Sequence, residues 1–423
     1  MKGISGFLSL AFAAVSAALP NPGPGAEVLS SNEKRQDANH WVAAWTSMPQ
    51  LVESGNMPPS PFSSGSVLKD ATLRQTFYIT LTAPKIKIAF TNTFGGSDLP
   101  ITAASVGLPA GGAAGVSGIQ ASPIAAITVG GKSSFTVPKG QVVVSDEIDF
   151  AVKAQTNIAV SVYSQAGQSG SSITGHPGSR TTSWFVAGNK VNATTMSGTA
   201  SVHWYFVSTV HAYVPSTHSA LVILGDSITD GRGSDDNKNN RWPDLVLARA
   251  NAANITNVGF NNQAAGGNCV LSQCLGPSTV SRYQRDAITQ PGVKYVMIFE
   301  GVNDLGNGGS GSASSIGDSL IRAFTTIIAD SRKAGYKTIG GTITPFGSSS
   351  YSDSNREVAR QKVNKWILTP GNFDYSVDFS KAIENPSNKA QIDAKFHGGD
   401  YLHPNAAGYK AMAEAFSLDI FKE

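Results

Sequence analysis

The chain has 423 residues, of which 14% are charged and 41% are hydrophobic, and its formal net charge is +3. This length predicts two domains, because a domain usually holds roughly 100–200 residues. The small net charge and the lack of a long basic run argue against nucleic acid as a partner. The seven histidines and two cysteines show no metal-ligand spacing, so the sequence indicates neither a metal nor a cofactor.

Residues 1–19 are typical of a secretory signal peptide. Lys2 precedes an apolar stretch at residues 6–15, and small residues follow it up to Ala18. The stretch is too short to span a bilayer comfortably, and proline-rich residues 20–24 come directly after it. We therefore expect export rather than a membrane anchor or a buried helix.

Residues 20–35 are a candidate pro-segment because they end in the dibasic pair Lys34-Arg35. Cleavage there would make Gln36 the first residue of the mature protein, whereas the alternative is an ordinary pair of surface residues. No later segment is apolar enough to span a membrane. The expected localisation is therefore secreted and extracellular.

Residues 36–215 are predicted to form an all-β sandwich domain. Apolar and polar residues alternate with period two in several segments, which Gly, Ser, Asn and Pro separate at short intervals. The predicted strands are residues 72–81, 85–92, 134–138, 157–164 and 202–210, and the predicted loops are 109–118 and 166–179. No long helix is indicated, as is typical of a sandwich. His203 and His211 lie in these β segments and are interpreted as packing residues or residues on a sheet face.

Near residue 219 the periodicity changes, and residues 216–423 are predicted to form an α/β domain. Continuous apolar runs, typical of buried parallel strands, alternate with segments of helical period. Strands are predicted at 220–224, 295–300 and 338–345, and helices at 242–250, 316–333, 355–368 and 405–420. This alternation predicts a doubly wound parallel sheet within a three-layer α/β/α domain.

Cys269 and Cys274 are predicted to form a disulfide that closes a short loop, because the expected compartment is oxidising. Two free thiols are the alternative. Asn192-Ala-Thr and Asn254-Ile-Thr are glycosylation sequons, which have a meaning only if the chain is secreted.

Three polar segments carry the residue types of nucleophilic catalysis. Ser227 and Asn303 each follow a predicted strand, at the edge where open parallel sheets bind ligands. Asp400 precedes His403 by three residues, so its carboxylate can orient the imidazole. A serine and an Asp–His pair from a separate segment are the parts of a nucleophile–base–orienter system. The amide of Asn303 can donate to a developing oxyanion. Each segment also has a structural interpretation as a helix cap or a turn.

These segments belong to four blocks through which residues 219–423 resemble the SGNH hydrolase superfamily, also called GDSL esterases and lipases. The blocks are Gly-Asp-Ser-Ile-Thr-Asp-Gly (225–231), Asn-Gln-Ala-Ala-Gly-Gly-Asn (262–268), Gly-Val-Asn-Asp (301–304) and Asp-Tyr-Leu-His-Pro (400–404). They occur in the order of the family. The layout is also similar to secreted two-domain members, in which a β domain precedes the hydrolase.

The resemblance implies a role for each matched residue. Ser227 is the nucleophile, His403 is the general base and acid, and Asp400 orients His403. The backbone N–H groups of Ser227 and Gly267 and the side chain of Asn303 form the oxyanion hole. Many members carry a Ser-Gly-Asn string in the second block where this chain has Gly-Gly-Asn. Gly267 is the better match to the second donor.

These roles imply a secreted serine esterase that hydrolyses carboxylic esters through an acyl-enzyme on Ser227. We expect short acyl groups, such as acetyl esters of polysaccharides or small soluble esters, because no large apolar lid segment lies near the motifs. A lipase or an acyltransferase with the same site is the alternative among enzymes. A non-catalytic carbohydrate-binding protein is the alternative of another class.

Two roles are open for the β domain. It could bind polysaccharide through its tryptophans, which are Trp41, Trp45, Trp184 and Trp204. It could instead be structural and shape one wall of the active-site cleft. Aromatic residues in a sandwich usually belong to the core, which favours the structural role.

Overall fold

The computed structural model describes residues 39–422. The predicted signal peptide (1–19), the candidate pro-segment (20–35) and the proposed mature start at Gln36 lie outside the described residues and stay predictions. Within the described range, no helix is long and apolar enough to cross a bilayer.

Residues 39–215 fold into two main antiparallel sheets without an α-helix. The strands are β1 (Asn39–Thr46), β2 (Gln50–Leu51), β3 (Ser66–Val67), β4 (Ala71–Ile79), β5 (Ile86–Thr91), β6 (Leu99–Ile101), β7 (Ala103–Pro109), β8 (Ile119–Ala126), β9 (Phe135–Val137), β10 (Val142–Val144), β11 (Thr156–Ser164), β12 (Gln168–Ser169), β13 (Thr174–His176), β14 (Ser183–Ala187), β15 (Thr199–Ser201), β16 (Trp204–Tyr205) and β17 (Val207–Pro215). The four-stranded sheet has the order β1-β17-β5-β10, and the six-stranded sheet has the order β15-β14-β4-β11-β7-β8. This arrangement confirms the predicted β-sandwich class.

The two sheets share one hydrophobic core, which explains the period-two alternation of their strands. Trp45 and Trp204 are part of this core. The ring of Trp45 lies 4.0 Å from that of Phe77 and meets the ring of Trp204 edge-on at 4.9 Å. Both tryptophans are 5% exposed, so they pack the sandwich and are not placed to stack on a sugar.

Two details of residues 39–215, called the β half below, differ from the predictions. Residues 216–422 are called the hydrolase half. The predicted strand 202–210 is divided at Phe206, whose φ of 63° lies in the left-handed region. Before this bend Trp204–Tyr205 pair with β13, and after it Val207–Pro215 run between β1 and β5. The predicted loop 166–179 is wrong in part, because it contains the short strands β12 and β13.

The second half contains a five-stranded sheet and eight α-helices. The strands are β18 (Ser219–Gly225), β19 (Val258–Ala264), β20 (Val293–Phe299), β21 (Lys337–Gly341), β22 (Tyr375–Val377), β23 (Glu384–Asn385) and β24 (Asn388–Ile392). The helices are α1 (Ser227–Asp230), α2 (Trp242–Ala252), α3 (Thr279–Tyr283), α4 (Val302–Asn307), α5 (Ala313–Lys333), α6 (Ser354–Leu368), α7 (Phe379–Ile383) and α8 (Ala406–Ala415). The sheet order is β19-β18-β20-β21-β22, and β23 and β24 form a separate hairpin.

All pairs within this sheet are parallel, which confirms the predicted doubly wound class. Helix α5 packs on α6, and α2 packs on α8, so the helices form separate groups around the sheet. Helix α5 and strand β18 agree closely with their predictions. The predicted strand 338–345 ends early, at Gly341, and the predicted helix 405–420 is shortened to Ala406–Ala415.

Strand β19 was not predicted, because Asn261, Asn262 and Gln263 interrupt its apolar pattern. Two of these amides are used to join parts of the molecule. Nδ2 of Asn261 donates to the carbonyl of Ala43 in β1 at 2.9 Å, and Nδ2 of Asn262 donates to the carbonyl of Thr229 in α1 at 2.8 Å. Hydrogen bonding therefore allows polar side chains on a buried strand.

The described residues form one compact unit, in which β1 packs on β19. The backbone N–H of Ala43 donates to the carbonyl of Pro291 at 2.9 Å. A Cβ on Gly259 would lie 2.5 Å from the carbonyl oxygen of Ala43, so glycine permits the close approach of β1. The predicted boundary between residues 215 and 216 lies between β17 and β18, and its status as a domain boundary stays a prediction.

Candidate active site

Ser227 is the first residue of α1, directly after the end of β18. The chain turns sharply at Gly225, where a Cβ would lie 2.8 Å from the side chain of Thr229. The cap of α1 is Asp226, whose Oδ1 accepts the N–H of Ile228 at 2.9 Å. The structural interpretation of Ser227 as the helix cap is therefore wrong, and its hydroxyl is available for other bonds.

Ser227, His403 and Asp400 form a hydrogen-bonded chain. Oγ of Ser227 lies 2.8 Å from Nε2 of His403, and Nδ1 of His403 lies 2.6 Å from Oδ2 of Asp400. The other oxygen of Asp400 accepts the backbone N–H groups of His403 at 2.9 Å and Leu402 at 3.0 Å. These bonds fix the carboxylate, which in turn directs Nε2 of the imidazole at the hydroxyl.

Electrostatics favour a neutral His403 beside an ionised Asp400. Burial lowers the pKa of His403 below 6.5, although Asp400 acts in the opposite direction. Burial also raises the pKa of Asp400, but the hydrogen bonds from His403 and Leu402 outweigh it and bring the pKa to about 2. A neutral imidazole can accept the proton of Ser227, so His403 can serve as the general base at neutral pH.

The three residues predicted for the oxyanion hole line the same cavity as His403, which has a volume of about 510 Å³. Gly267 has a φ of 67°, and a Cβ there would lie 2.6 Å from Cδ1 of Leu275, so the position requires glycine. Asn303 donates through Nδ2 to the carbonyl of Asn268 at 2.8 Å. Since an amide nitrogen carries two hydrogens, one remains for an oxyanion.

Tyr351 fixes the orientation of the Asn303 amide. Its hydroxyl donates to Oδ1 of Asn303 at 3.1 Å. This bond fixes which end of the amide is the acceptor, so Nδ2 is the end that donates hydrogen bonds. No sequence signal marks Tyr351, because it lies in a turn 48 residues after Asn303.

The loop that carries Gly267 is held at several points. The predicted disulfide between Cys269 and Cys274 is confirmed. The Asp304 carboxylate accepts the backbone N–H groups of Val270 and Leu271, each at 2.9 Å. The loop is thereby tied to α4, the helix that also carries Asn303, so Gly267 and Asn303, the predicted oxyanion donors, keep a fixed relation.

The fully buried guanidinium of Arg282 lies beneath this loop. It donates to the carbonyl of Gln263 at 2.6 Å, to the carbonyl of Gly225 at 3.2 Å and to Oδ1 of Asn268 at 3.1 Å. It also lies 3.7 Å from the carboxylate of Glu300. Burial raises the pKa of Glu300 to about 7, although Arg282 acts in the opposite direction. Arg282 therefore connects the ends of β18, β19 and β20.

The β half contacts the nucleophile helix through a buried His–Asp pair. Nε2 of His176 lies 2.8 Å from Oδ1 of Asp230, the last residue of α1, and Nδ1 lies 3.0 Å from the carbonyl oxygen of Met48. A Cβ on Gly178 would lie 1.7 Å from Oδ2 of Asp230, so only glycine allows the backbone so close. Sequence reasoning missed this pair, because nothing in either segment indicates the other.

The β half also forms part of the cavity wall. His203, interpreted from the sequence as a packing residue, lines the cavity, and its Nδ1 lies 2.6 Å from the carbonyl oxygen of Pro177. None of the four tryptophans of the β half, all within the described chain, lines the cavity. Of the other predicted sites, Asn192 and Asn254 are both exposed, as a glycosylation acceptor must be.

A family of known proteins matches the part of the chain that carries this site. Residues 223–411 match the GDSL-like Lipase/Acylhydrolase family, and this range contains the Ser227–His403–Asp400 chain and the three predicted oxyanion residues. Residues 223–411 are thus matched as a GDSL-like lipase/acylhydrolase domain, and this domain supports carboxylic ester hydrolase activity. No protein of curated function matches the chain.

Several solved structures are similar to about half of the chain. A variant of an acetyl xylan esterase from Geobacillus stearothermophilus is 21% identical with a TM-score of 0.36, and the match covers 48% of this chain and 94% of that one. A lipase/acylhydrolase from Enterococcus faecalis is 21% identical with a TM-score of 0.38, covering 48% and 96%. A GDSL-like lipase from Bacteroides thetaiotaomicron VPI-5482 is 16% identical with a TM-score of 0.37, covering 48% and 88%. Such low identities and scores carry no information on substrate.

The low pKa of His403 predicts the pH dependence of the reaction. Only the neutral imidazole accepts the Ser227 proton. We therefore expect kcat/KM to rise with pH to a plateau, and the midpoint of that rise to lie below pH 6.5. Asp400→Asn removes the carboxylate that favours the imidazolium, so its midpoint should lie lower still. The variant should also lose about 10²–10⁴-fold in kcat, since the imidazole is no longer held in the productive tautomer. Profiles of kcat/KM against pH for both proteins test this, and a wild-type midpoint above 6.5 would contradict it.

Arg282→Met should destabilise the protein by about 3–5 kcal/mol, because the buried Glu300 would lose its arginine, while Asp286 would keep its ion pair with Arg285. Arg322→Met is the matched control, since Arg322 is exposed on α5, and its cost should stay within about 0.5 kcal/mol. Urea unfolding of the two variants gives the comparison. Equal, small losses in both would show that Arg282 does not hold the strand ends together.

Proposed function

We propose that this protein is a secreted esterase that removes short acyl groups, above all acetyl, from hydroxyl groups of polysaccharides or small soluble esters. The observation that carries the proposal is the hydrogen-bonded chain Ser227–His403–Asp400, which lies at a cavity lined by more polar than apolar side chains.

The residues of the site support a two-step reaction through an acyl-enzyme. His403 takes the proton from Oγ of Ser227, and Oγ forms a bond to the ester carbonyl carbon. The tetrahedral oxyanion accepts hydrogen bonds from the N–H groups of Ser227 and Gly267 and from Nδ2 of Asn303. Imidazolium His403 then protonates the leaving alcohol as the C–O bond of the ester breaks.

Hydrolysis of the acyl-enzyme follows the same path with water in place of the alcohol. His403 accepts a proton from the attacking water, the oxyanion forms again, and Oγ of Ser227 leaves with the proton that His403 returns. The acid is released, and no redox partner or metal is needed for the balance of the reaction. Loss of one oxyanion donor typically lowers kcat about a hundredfold or more.

The cavity wall supports short acyl groups and a hydroxyl-rich alcohol. Its side chains are mostly polar or charged, and the apolar ones are scattered among them. The apolar lining consists of Pro177, Val202, Leu275 and Leu402. Within this cavity a long acyl chain would meet more polar than apolar side chains, and it would gain less from leaving water than in an apolar cleft. This is the reason to prefer an esterase to a lipase with the same site.

The β half acts as a structural wall of the cleft in this proposal. It contributes both polar and backbone groups to the cavity, while Trp45 and Trp204 are committed to the sandwich core. The alternative of a non-catalytic carbohydrate-binding protein is opposed by the short bonds from Ser227 to His403 and from His403 to Asp400, which sugar binding does not require.

Secretion is supported by three features of the chain. Residues 1–19 have the pattern of a signal peptide. The disulfide Cys269–Cys274 is typical of an oxidising compartment, and the sequon residues Asn192 and Asn254 are exposed.

A panel of 4-nitrophenyl esters from acetyl to palmitoyl tests the proposal. The wild type should show its highest kcat/KM on acetyl or propionyl esters and little turnover of palmitoyl. Ser227→Ala should lower kcat by at least about 10⁴-fold, because the nucleophilic hydroxyl is lost. The melting temperature should stay unchanged, because only one small group is removed. Ser319→Ala, at a half-buried position of α5 outside the cavity lining, is the control and should keep full activity. A preference for long esters would favour the lipase, and retained turnover in Ser227→Ala would mean that another residue is the nucleophile.

A further inference from the structure

Two arginines face the catalytic cavity without a protein partner. Arg180 from the β half and Arg232 from the hydrolase half both line the cavity with Ser227 and His403. Within residues 39–422, neither guanidinium makes a hydrogen bond or an ion pair, and Nε of Arg180 is buried with no partner. An unpaired buried donor such as Nε of Arg180 is costly and normally meets an acceptor, whereas Arg232 is exposed at the rim of the cavity and can reach a bound ligand.

The backbone of Arg180 is strained and held from the hydrolase half. Its φ of 50° is unusual for a residue other than glycine. Its carbonyl accepts the N–H of Asn237 at 2.8 Å, and the carbonyl of Ser179 accepts NH2 of Arg241 at 2.6 Å. The N–H of Thr182 also donates to Oδ1 of Asn237 at 2.8 Å. Strain of this kind persists where the surroundings fix it, and it is concentrated at ligand sites.

Both arginines lie within electrostatic reach of His403. After burial, which is the main cause, their positive charges help to lower the pKa of this histidine. In the reaction His403 protonates the leaving oxygen, so the groups beside it contact the alcohol part of the ester. The acyl carbonyl oxygen is instead directed to Gly267 and Asn303.

The carboxylates of the cavity do not neutralise these arginines. Glu53 accepts hydrogen bonds from Nε2 of Gln50 at 2.7 Å and from Nδ2 of Asn56 at 3.0 Å. Asp230 is bound to His176. Asp236 is exposed on the loop after α1 and makes no ion pair with either arginine. The two guanidiniums are thus left free for an anion that comes with the substrate.

We propose that Arg180 and Arg232 bind a carboxylate on the alcohol part of the ester, so that the preferred substrate is an acylated acidic saccharide. The inference rests on the proposed esterase function and narrows its substrate class. A guanidinium can form two parallel hydrogen bonds to a carboxylate, a geometry that a neutral sugar does not offer. A neutral saccharide would cover the two charges without pairing them, which weakens its binding.

Two acetylated substrates that differ in charge test this inference. Release of acetate is measured from acetylated oligogalacturonides and from acetylated xylo-oligosaccharides, which carry no carboxylate. The wild type should have the higher kcat/KM on the acidic substrate. Arg180→Gln and Arg232→Gln should each lower the ratio of kcat/KM, acidic over neutral, by about 10- to 100-fold, mainly through KM. Arg322→Gln, an exposed arginine of α5, is the control and should leave the ratio unchanged.

The outcomes separate this inference from the proposed function. A wild type that cleaves 4-nitrophenyl acetate but prefers the neutral saccharide, or a ratio that neither variant lowers, would overturn the acidic subsite and leave the esterase intact. Absence of turnover on every ester, 4-nitrophenyl acetate included, would overturn the esterase itself.

Discussion

The active site depends on the ion-pair and hydrogen-bond network of one buried guanidinium. Arg282 bonds the carbonyls at the ends of β18 and β19, lies beside Glu300 at the end of β20, and supports Asn268 in the oxyanion loop. The carboxyl ends of parallel strands lie at one edge of the sheet, and some backbone carbonyl groups there have no hydrogen-bond partner in a neighbouring strand. A single planar donor satisfies several of them and thereby sets the positions of the loops that follow.

Each loop then places one part of the chemistry. The turn after β18 presents Ser227, the loop after β19 presents Gly267, and the segment after β20 presents Asn303. Asp304 ties the last two together through the backbone of Val270 and Leu271. His403 and Asp400 come from a distant segment and meet Ser227 across the same edge. The proposed donors are thus fixed before any substrate arrives, which is the condition for strong stabilisation of an oxyanion.

The two halves of the protein share this site. His176 of the β half is buried against Asp230, three residues after Ser227 in the same short helix. A second contact joins the halves through Asn261 of β19, whose side-chain amide donates to the carbonyl of Ala43 in β1. If the β half moved away from α1, the buried carboxylate of Asp230 would lose His176, which is costly. The pair therefore favours one position of the β half against α1. This contact gives the sandwich a physical role that does not require it to bind carbohydrate.

Sequence patterns predicted the fold class, the triad and the oxyanion residues, because these depend on local periodicity and on short motifs. The apolar run before Ser227 and the helical period of α5 are local signals of this kind. Strand β19 was missed because its asparagines look like loop residues, and only their distant partners make them compatible with burial. Phe206 divides a strand whose alternation is otherwise regular, and its positive φ has no local signature.

The residues that support the site were the hardest to find. Arg282 looks like a surface charge in a polar helix, and Tyr351 looks like a turn residue. His176 is 54 residues from Asp230, and Arg180 lies in a Gly- and Ser-rich stretch. Their roles follow from contacts between distant segments, and a single sequence contains no record of those contacts.

The central claim is that Ser227 forms a covalent bond with the acyl group. Labelling with a serine-directed fluorophosphonate, followed by mass spectrometry of the digested protein, tests it most directly. The account predicts one adduct per chain, on the peptide that contains Ser227, and none in Ser227→Ala. An adduct on another residue, or the absence of an adduct in a protein that still cleaves esters, would contradict it.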